Sequence, residues 1–72
     1  MELTVEVHHE DQGYWAEVSE LEGCLTDART LKELAVYLEE VIQMCLDDES
    51  ARLLDPELHV GTVRVQIGRA GD

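Results

Sequence analysis

The residue types that do chemistry in this chain are three histidines, two cysteines and an excess of carboxylates. His8-His9-Glu10-Asp11, with His59 far along the sequence, has the composition of a metal site. Adjacent side chains on a strand point to opposite faces, however, so the run cannot converge on one ion and is expected to form the solvated end of a hairpin. Cys24 and Cys45 are too few and too scattered for a disulfide framework or a zinc site, and read as small buried hydrophobes. Ser19 and Ser50 have no histidine near them in sequence, neither cysteine has a marked electropositive neighbour, and there is no glycine-rich phosphate loop or nucleophile elbow. The paired carboxylates Glu39-Glu40 and the run Asp47-Asp48-Glu49 read as the wet face and the end of a helix. No catalytic, metal or cofactor residue is assigned, and the chain is expected not to be an enzyme.

What remains is surface chemistry, carried by Trp15 and Glu17. The segment Tyr14 to Ser19 alternates as a strand with Tyr14, Ala16 and Val18 toward a core, which leaves Trp15, Glu17 and Ser19 on the other face. An outward indole is more than solubility requires, and it marks a contact surface.

The elements that position this face follow from periodicity. Leu3, Val5 and Val7 alternate with Thr4, Glu6 and His8 as a first strand. His9-Glu10-Asp11-Gln12-Gly13 turns the chain, with Gly13 suited to the positive φ of a bulged hairpin loop. Cys24 to Ala28 makes a short third strand. Thr30 and Glu33 form a capping box, so a helix begins at Leu31. Its apolar stripe is Leu31, Leu34, Ala35, Leu38, Val41, Ile42, Cys45 and Leu46, with Tyr37 and Met44 widening it on one side. That flank touches either another subunit or the loop that follows the helix. Asp47-Asp48-Glu49 opposes the helix dipole and stops the helix there. Ser50 to Leu58 is a connection in which Pro56 keeps Asp55 from helical angles, Val60 to Ile67 is the last strand, and Gly68 to Asp72 is a frayed tail. The fold class is α+β, β-β-β-α-β. The expected sheet is mixed and four-stranded, in the order 3-2-1-4, with the fourth strand parallel to the first and a right-handed crossover through the helix.

The 72 residues carry 5 Lys and Arg against 17 Asp and Glu, a formal charge of -12. Residues 1–72 form a single domain whose core is small, so oligomerisation, most simply a homodimer, is expected. The open edge of the last strand (Val60, Thr62, Arg64) and the Tyr37/Met44 flank are the expected oligomer interface. Binding of nucleic acid depends on Lys and Arg, which are here outnumbered by Asp and Glu, so a basic protein is the better partner. There is no basic N-terminal segment followed by an apolar run and no stretch long enough for a membrane helix; a soluble, cytoplasmic protein without membrane association is expected.

Gly13-Tyr14-Trp15-Ala16-Glu17-Val18, Glu20-Leu21-Glu22-Gly23-Cys24 and Thr30-Leu31-Lys32-Glu33-Leu34-Ala35, in that order and spacing, resemble the N-terminal domain of HicB-type antitoxins. The resemblance covers about two-thirds of the chain. It implies a truncated ribonuclease H fold and a function of covering a small basic mRNA-cleaving toxin of the HicA type. The chain departs from the family pattern at Glu22, where proline is usual, and at Asp27-Ala28-Arg29, which replaces a glycine-containing turn. The C-terminal DNA-binding segment is missing, so operator binding is not implied. Nor is a nuclease, because Val63 to Ile67 carries no carboxylate to join an acidic metal cluster.

The expectation is therefore an antitoxin-like module that binds a basic HicA-like toxin through Trp15 and Glu17 and neutralises it by occlusion. The alternative is a self-associating structural or regulatory domain with no toxin partner.

Overall fold

The computed structural model describes residues 1–55 and 57–69 and holds, in order, β1 (Glu2–Glu10), β2 (Gly13–Val18), β3 (Leu25–Ala28), α1 (Leu31–Leu46), β4 (Ala51–Leu53) and β5 (Gly61–Arg69). β1 and β2 form the hairpin that their alternation requires, with Glu10 paired to Gly13 across the two residues Asp11 and Gln12. Gly13 is needed for space rather than for a positive φ: a Cβ there would collide with the Ala28 carbonyl oxygen on β3. The third strand is shorter than expected. Cys24 is buried just ahead of it, and its carbonyl accepts the Val18 N–H at 2.9 Å.

α1 starts where the capping residues place it. Thr30 is extended (φ -127°, ψ 158°) and its hydroxyl oxygen accepts the Glu33 N–H at 3.1 Å. The return half of the box differs from expectation, since the Thr30 hydroxyl itself donates to the Glu33 carboxylate at 3.2 Å. At the other end Asp47 turns left-handed (φ 52°), and the N–H groups of Asp47 and Asp48 close on the carbonyls of Met44 and Gln43. Leu34, Ala35, Leu38 and Ile42 are buried, and Leu31, Val41 and Leu46 pack partly against the same core. Cys45, expected inside, is exposed, because it sits at the margin of the stripe. Each large side chain so buried contributes about 1.5–3 kcal/mol.

Sheet direction is the main correction. The sheet has five strands in the order β3-β2-β1-β5-β4, and every adjacent pair is antiparallel. The expected four-stranded mixed sheet, with its last strand parallel to the first, is not present. The reason is β4, three residues inside the segment read as a connection. The helix leads from β3 at one edge to β4 at the opposite edge, and these two edge strands run the same way. The chain then turns once more, so β5 enters beside β1 in the reverse direction. The crossover rule applies to β3 and β4, not to the last strand. The connection is therefore Leu54 to Val60; Pro56, assigned a role in holding Asp55, lies outside the described residues. β5 extends to Arg69, so Gly68 and Arg69 are strand rather than tail, and Ala70 to Asp72 lie outside the described residues.

The core lies on one face of this sheet, between it and α1. Leu3, Val5, Val7, Ala16, Val18, Val63, Val65 and Ile67 are buried together with the helix stripe, as their alternation requires. Among the described residues no helix is long and apolar enough to cross a membrane.

Candidate functional site

The outward face of the sheet is built by parity and register. On β2, Trp15 and Glu17 alternate with the buried Ala16 and Val18. The two-residue loop fixes their neighbours: Trp15 lies opposite His8 on β1 and opposite Asp27 on β3, while Glu17 lies between Glu6 and Leu25. The face therefore presents two rows, Asp27-Trp15-His8 and Leu25-Glu17-Glu6, the second continued by Thr62 on β5.

In the first row the His8 and Trp15 rings lie 4.1 Å apart and 16° from parallel. The stack fixes the indole in one orientation and seals the His8 Nε2, which is buried without a hydrogen-bond partner among the described residues. His8 was expected at a solvated hairpin end; it is instead part of the site. His9 points the other way, against Tyr14 at 4.9 Å, as alternation demands. Past the indole a shallow pocket opens, lined by Glu10, Trp15, Leu25, Thr26 and Asp27. Leu25 is 56% exposed beside it.

In the second row two carboxylates stand directly across from one another, Glu6 and Glu17. Like charges in that position are destabilising. Glu6 has relief, because the Thr62 hydroxyl donates to it at 2.9 Å. Glu17 has no hydrogen bond or ion pair among the described residues. The face thus holds a fixed aromatic surface, an exposed leucine and unneutralised negative charge within one strand spacing of each other. Chemically it is suited to a side chain with an apolar stem and a cationic head.

The edge next to this face is unpaired among the described residues. Val18 donates to the Cys24 carbonyl. By the antiparallel alternation, Thr26 and Ala28 then face β2, which leaves the N–H and C=O of Leu25 and Asp27 directed outward along the free side of β3.

The opposite edge is closed. The Glu39 carboxylate accepts the Leu53 N–H at 2.9 Å and the Gln43 amide donates to the Ala51 carbonyl at 2.9 Å, so polar side chains of α1 satisfy the outer side of β4. Glu39, expected on the wet helix face, is therefore structural. Near the same corner Arg69 pairs with Asp48 at 3.1 Å, and the Ser50 hydroxyl and N–H donate to Asp48 at 2.6 and 3.0 Å. These two hydrogen bonds, with Arg69 adding, hold the Asp48 carboxyl below its ordinary range.

Of the expected interface residues, Tyr37 and Met44 remain 40% and 78% exposed, so the connection after the helix does not cover them. Val60, Thr62 and Arg64 are exposed as well. They do not form one continuous outer edge as expected, since β4 pairs with β5 over Ile67 to Arg69.

The thiols sit away from this face. The Cys24 thiol lies 3.7 Å from the Val41 carbonyl oxygen, and burial, with the Cys45 thiol beside it, pushes it up to about 12.

A scan against protein-family models, a search of curated proteins and a search of solved structures find no match to this chain.

Proposed function

We propose that this chain is an antitoxin-like binding module of the HicB N-terminal type, which neutralises a small basic mRNA-cleaving toxin by covering it and does no chemistry of its own. The observation that carries the reading is the pairing of Trp15, stacked on His8, with a Glu17 carboxylate that faces Glu6 and has no hydrogen bond or ion pair among the described residues. An Arg or Lys of a basic partner lays its stem on the indole and Leu25 and sets its charge among Glu17, Asp27 and Glu10. The free side of β3 offers the partner backbone hydrogen bonds at the same place. At a net charge of -12 the module attracts a basic RNA-binding protein from a distance and repels RNA from the covered surface. The truncated ribonuclease H likeness belongs to this reading. The run of β1, β2, β3 and α1 supports it, while the inserted β4 and the antiparallel β5 are departures from it.

Trp15 is the one tryptophan, so its emission reports the site directly. Titrating a HicA-like ribonuclease into the protein is expected to shift that emission and to suppress RNA cleavage at equal stoichiometry. Trp15→Ala is expected to weaken suppression by about 30-fold, the equivalent of roughly 2 kcal/mol, with an unchanged circular dichroism spectrum. Equal suppression by wild type and Trp15→Ala would remove the site, and absence of binding to any cognate basic protein would remove the function.

A further inference from the structure

The fold brings together two cysteines that the sequence keeps apart, and the binding face proposed above uses neither. Cys24 enters the core at a fixed point. Gly23 before it turns with positive φ (75°), the Cys24 N–H donates to the Leu21 carbonyl at 3.1 Å, and the Cys24 carbonyl accepts the Val18 N–H at 2.9 Å. The side chain is buried, and its Sγ lies 3.7 Å from the Val41 carbonyl oxygen. Val41 stands four residues before Cys45, so in α1 the same oxygen takes the Cys45 N–H. The two cysteines therefore meet at one backbone oxygen, with the Cys45 thiol beside that of Cys24.

The two thiols differ in access. Cys45 is exposed on the last turn of α1, which the left-handed Asp47 ends and the N–H groups of Asp47 and Asp48 close. Cys24 is sealed from solvent. Burial, with Cys45 next to it, pushes its ionisation up to about 12, so toward solutes it is inert. The sulfur that it can reach is that of Cys45.

We propose that Cys24 and Cys45 are a redox pair, closed into an intramolecular disulfide by exchange with a small-molecule disulfide, Cys45 attacking first and Cys24 resolving. In the first step the Cys45 thiol gives its proton to solvent and attacks one sulfur of the small disulfide, whose S–S bond breaks to release one thiolate. In the second the Cys24 thiol loses its proton and attacks the Cys45 sulfur, and the other small thiolate leaves. Two protein thiols are oxidised to one disulfide, and one small disulfide is reduced to two thiols. At a net charge of -12, repulsion between chains disfavours a second copy as the competitor for Cys45. The bond encloses β3 and nearly all of α1 in one loop and ties the end of the helix to the entry of the strand, on the core side of the sheet and away from Trp15. Closing that loop restricts the unfolded chain, which counts for more where the core is small.

The native protein, incubated with glutathione disulfide and followed by mass spectrometry, is expected to carry one glutathione on Cys45 and then to lose it as the Cys24–Cys45 bond forms, two hydrogens lighter than the reduced chain. Cys45→Ser changes an exposed side chain and is expected to abolish reaction in the native state, whereas Cys24→Ala is expected to stop at the glutathione adduct. The exchange constant with glutathione is expected to favour the protein disulfide by about 30-fold or more in the native state over the urea-unfolded state, and the oxidised protein to unfold at higher urea by the same linkage. A lasting glutathione adduct on the wild type, a disulfide between two chains, reaction of native Cys45→Ser, or equal exchange constants in the two states would each overturn the proposal. These measurements need no partner, so their outcome is independent of the binding function proposed for the Trp15 face.

Discussion

At the residue scale the outward position of Trp15 and Glu17 was legible from parity alone, because a strand with Ala16 and Val18 inside leaves them no other side. The part played by His8 was not. It depends on register, and register depends on whether the hairpin loop holds two residues or three, which the polar run around Asp11 leaves open. Glu17 makes the cost of the site measurable. Replacing Glu17 with Gln relieves the repulsion from Glu6 and is expected to raise the urea midpoint, by about 0.2–1 kcal/mol in stability, while slowing association with a basic partner. A lowered midpoint would mean that the two carboxylates do not oppose each other as described. The thiols give a second test. Cys24 ionises near about 12 in the folded protein against an ordinary 9.0, so its neutral form contributes stability fully below pH 9.0 and loses it as pH rises toward about 12. Iodoacetamide at about pH 8 is expected to modify Cys45 and spare Cys24 in the native protein, since the thiolate is the reactive form. Equal labelling would contradict the burial of Cys24.

At the scale of elements, both ends of α1 could be read from the sequence because single residues set them. Thr30→Ala is expected to cost about 1 kcal/mol. Asp47 is the one described residue other than glycine with positive φ, and it also places a carboxylate at the negative end of the helix. Asp47→Gly is expected to stabilise the protein by about 1 kcal/mol and raise the melting temperature by roughly 4–8 °C; a fall would show that Asp47 has a role in the turn beyond its backbone. β4 was not legible. Ala51-Arg52-Leu53 is too short for a period to register, and what holds its outer side is Glu39 and Gln43 on a helix already assigned to other duties. Missing those three residues reversed the last strand, since one added pass across the sheet inverts the direction of whatever follows. Strand order around β1 survived the error, because β5 still enters beside β1.

For the whole molecule, charge sets the response to salt. Added salt screens the self-repulsion of the chain and is expected to raise its stability, while slowing capture of a basic partner at the Trp15 face. Urea unfolding and stopped-flow mixing over the same salt series check both signs, and faster capture at high salt would mean that charge does not steer the partner. Acid acts at the corner where Asp48 ties Ser50 and Arg69. That carboxyl is held low, so its stabilising effect is present above the ordinary carboxylate range and is lost as pH falls through it.

The pairing of β1 with β5 bears on how the protein is made. Glu2 and Gln66 meet although 64 positions apart in sequence, so β1 takes its second partner only when β5 has followed from the ribosome. Until then the hairpin, β3 and the helix can assemble, because their contacts are local, but β1 keeps one side bare. Refolding followed by Trp15 emission is therefore expected to lead refolding followed by exchange protection at Val63 and Val65. During that interval the nascent chain displays the Trp15 face before its central strand is sealed. If the proposed function holds, a basic partner in the same compartment would meet the Trp15 face while the rest of the sheet is still incomplete.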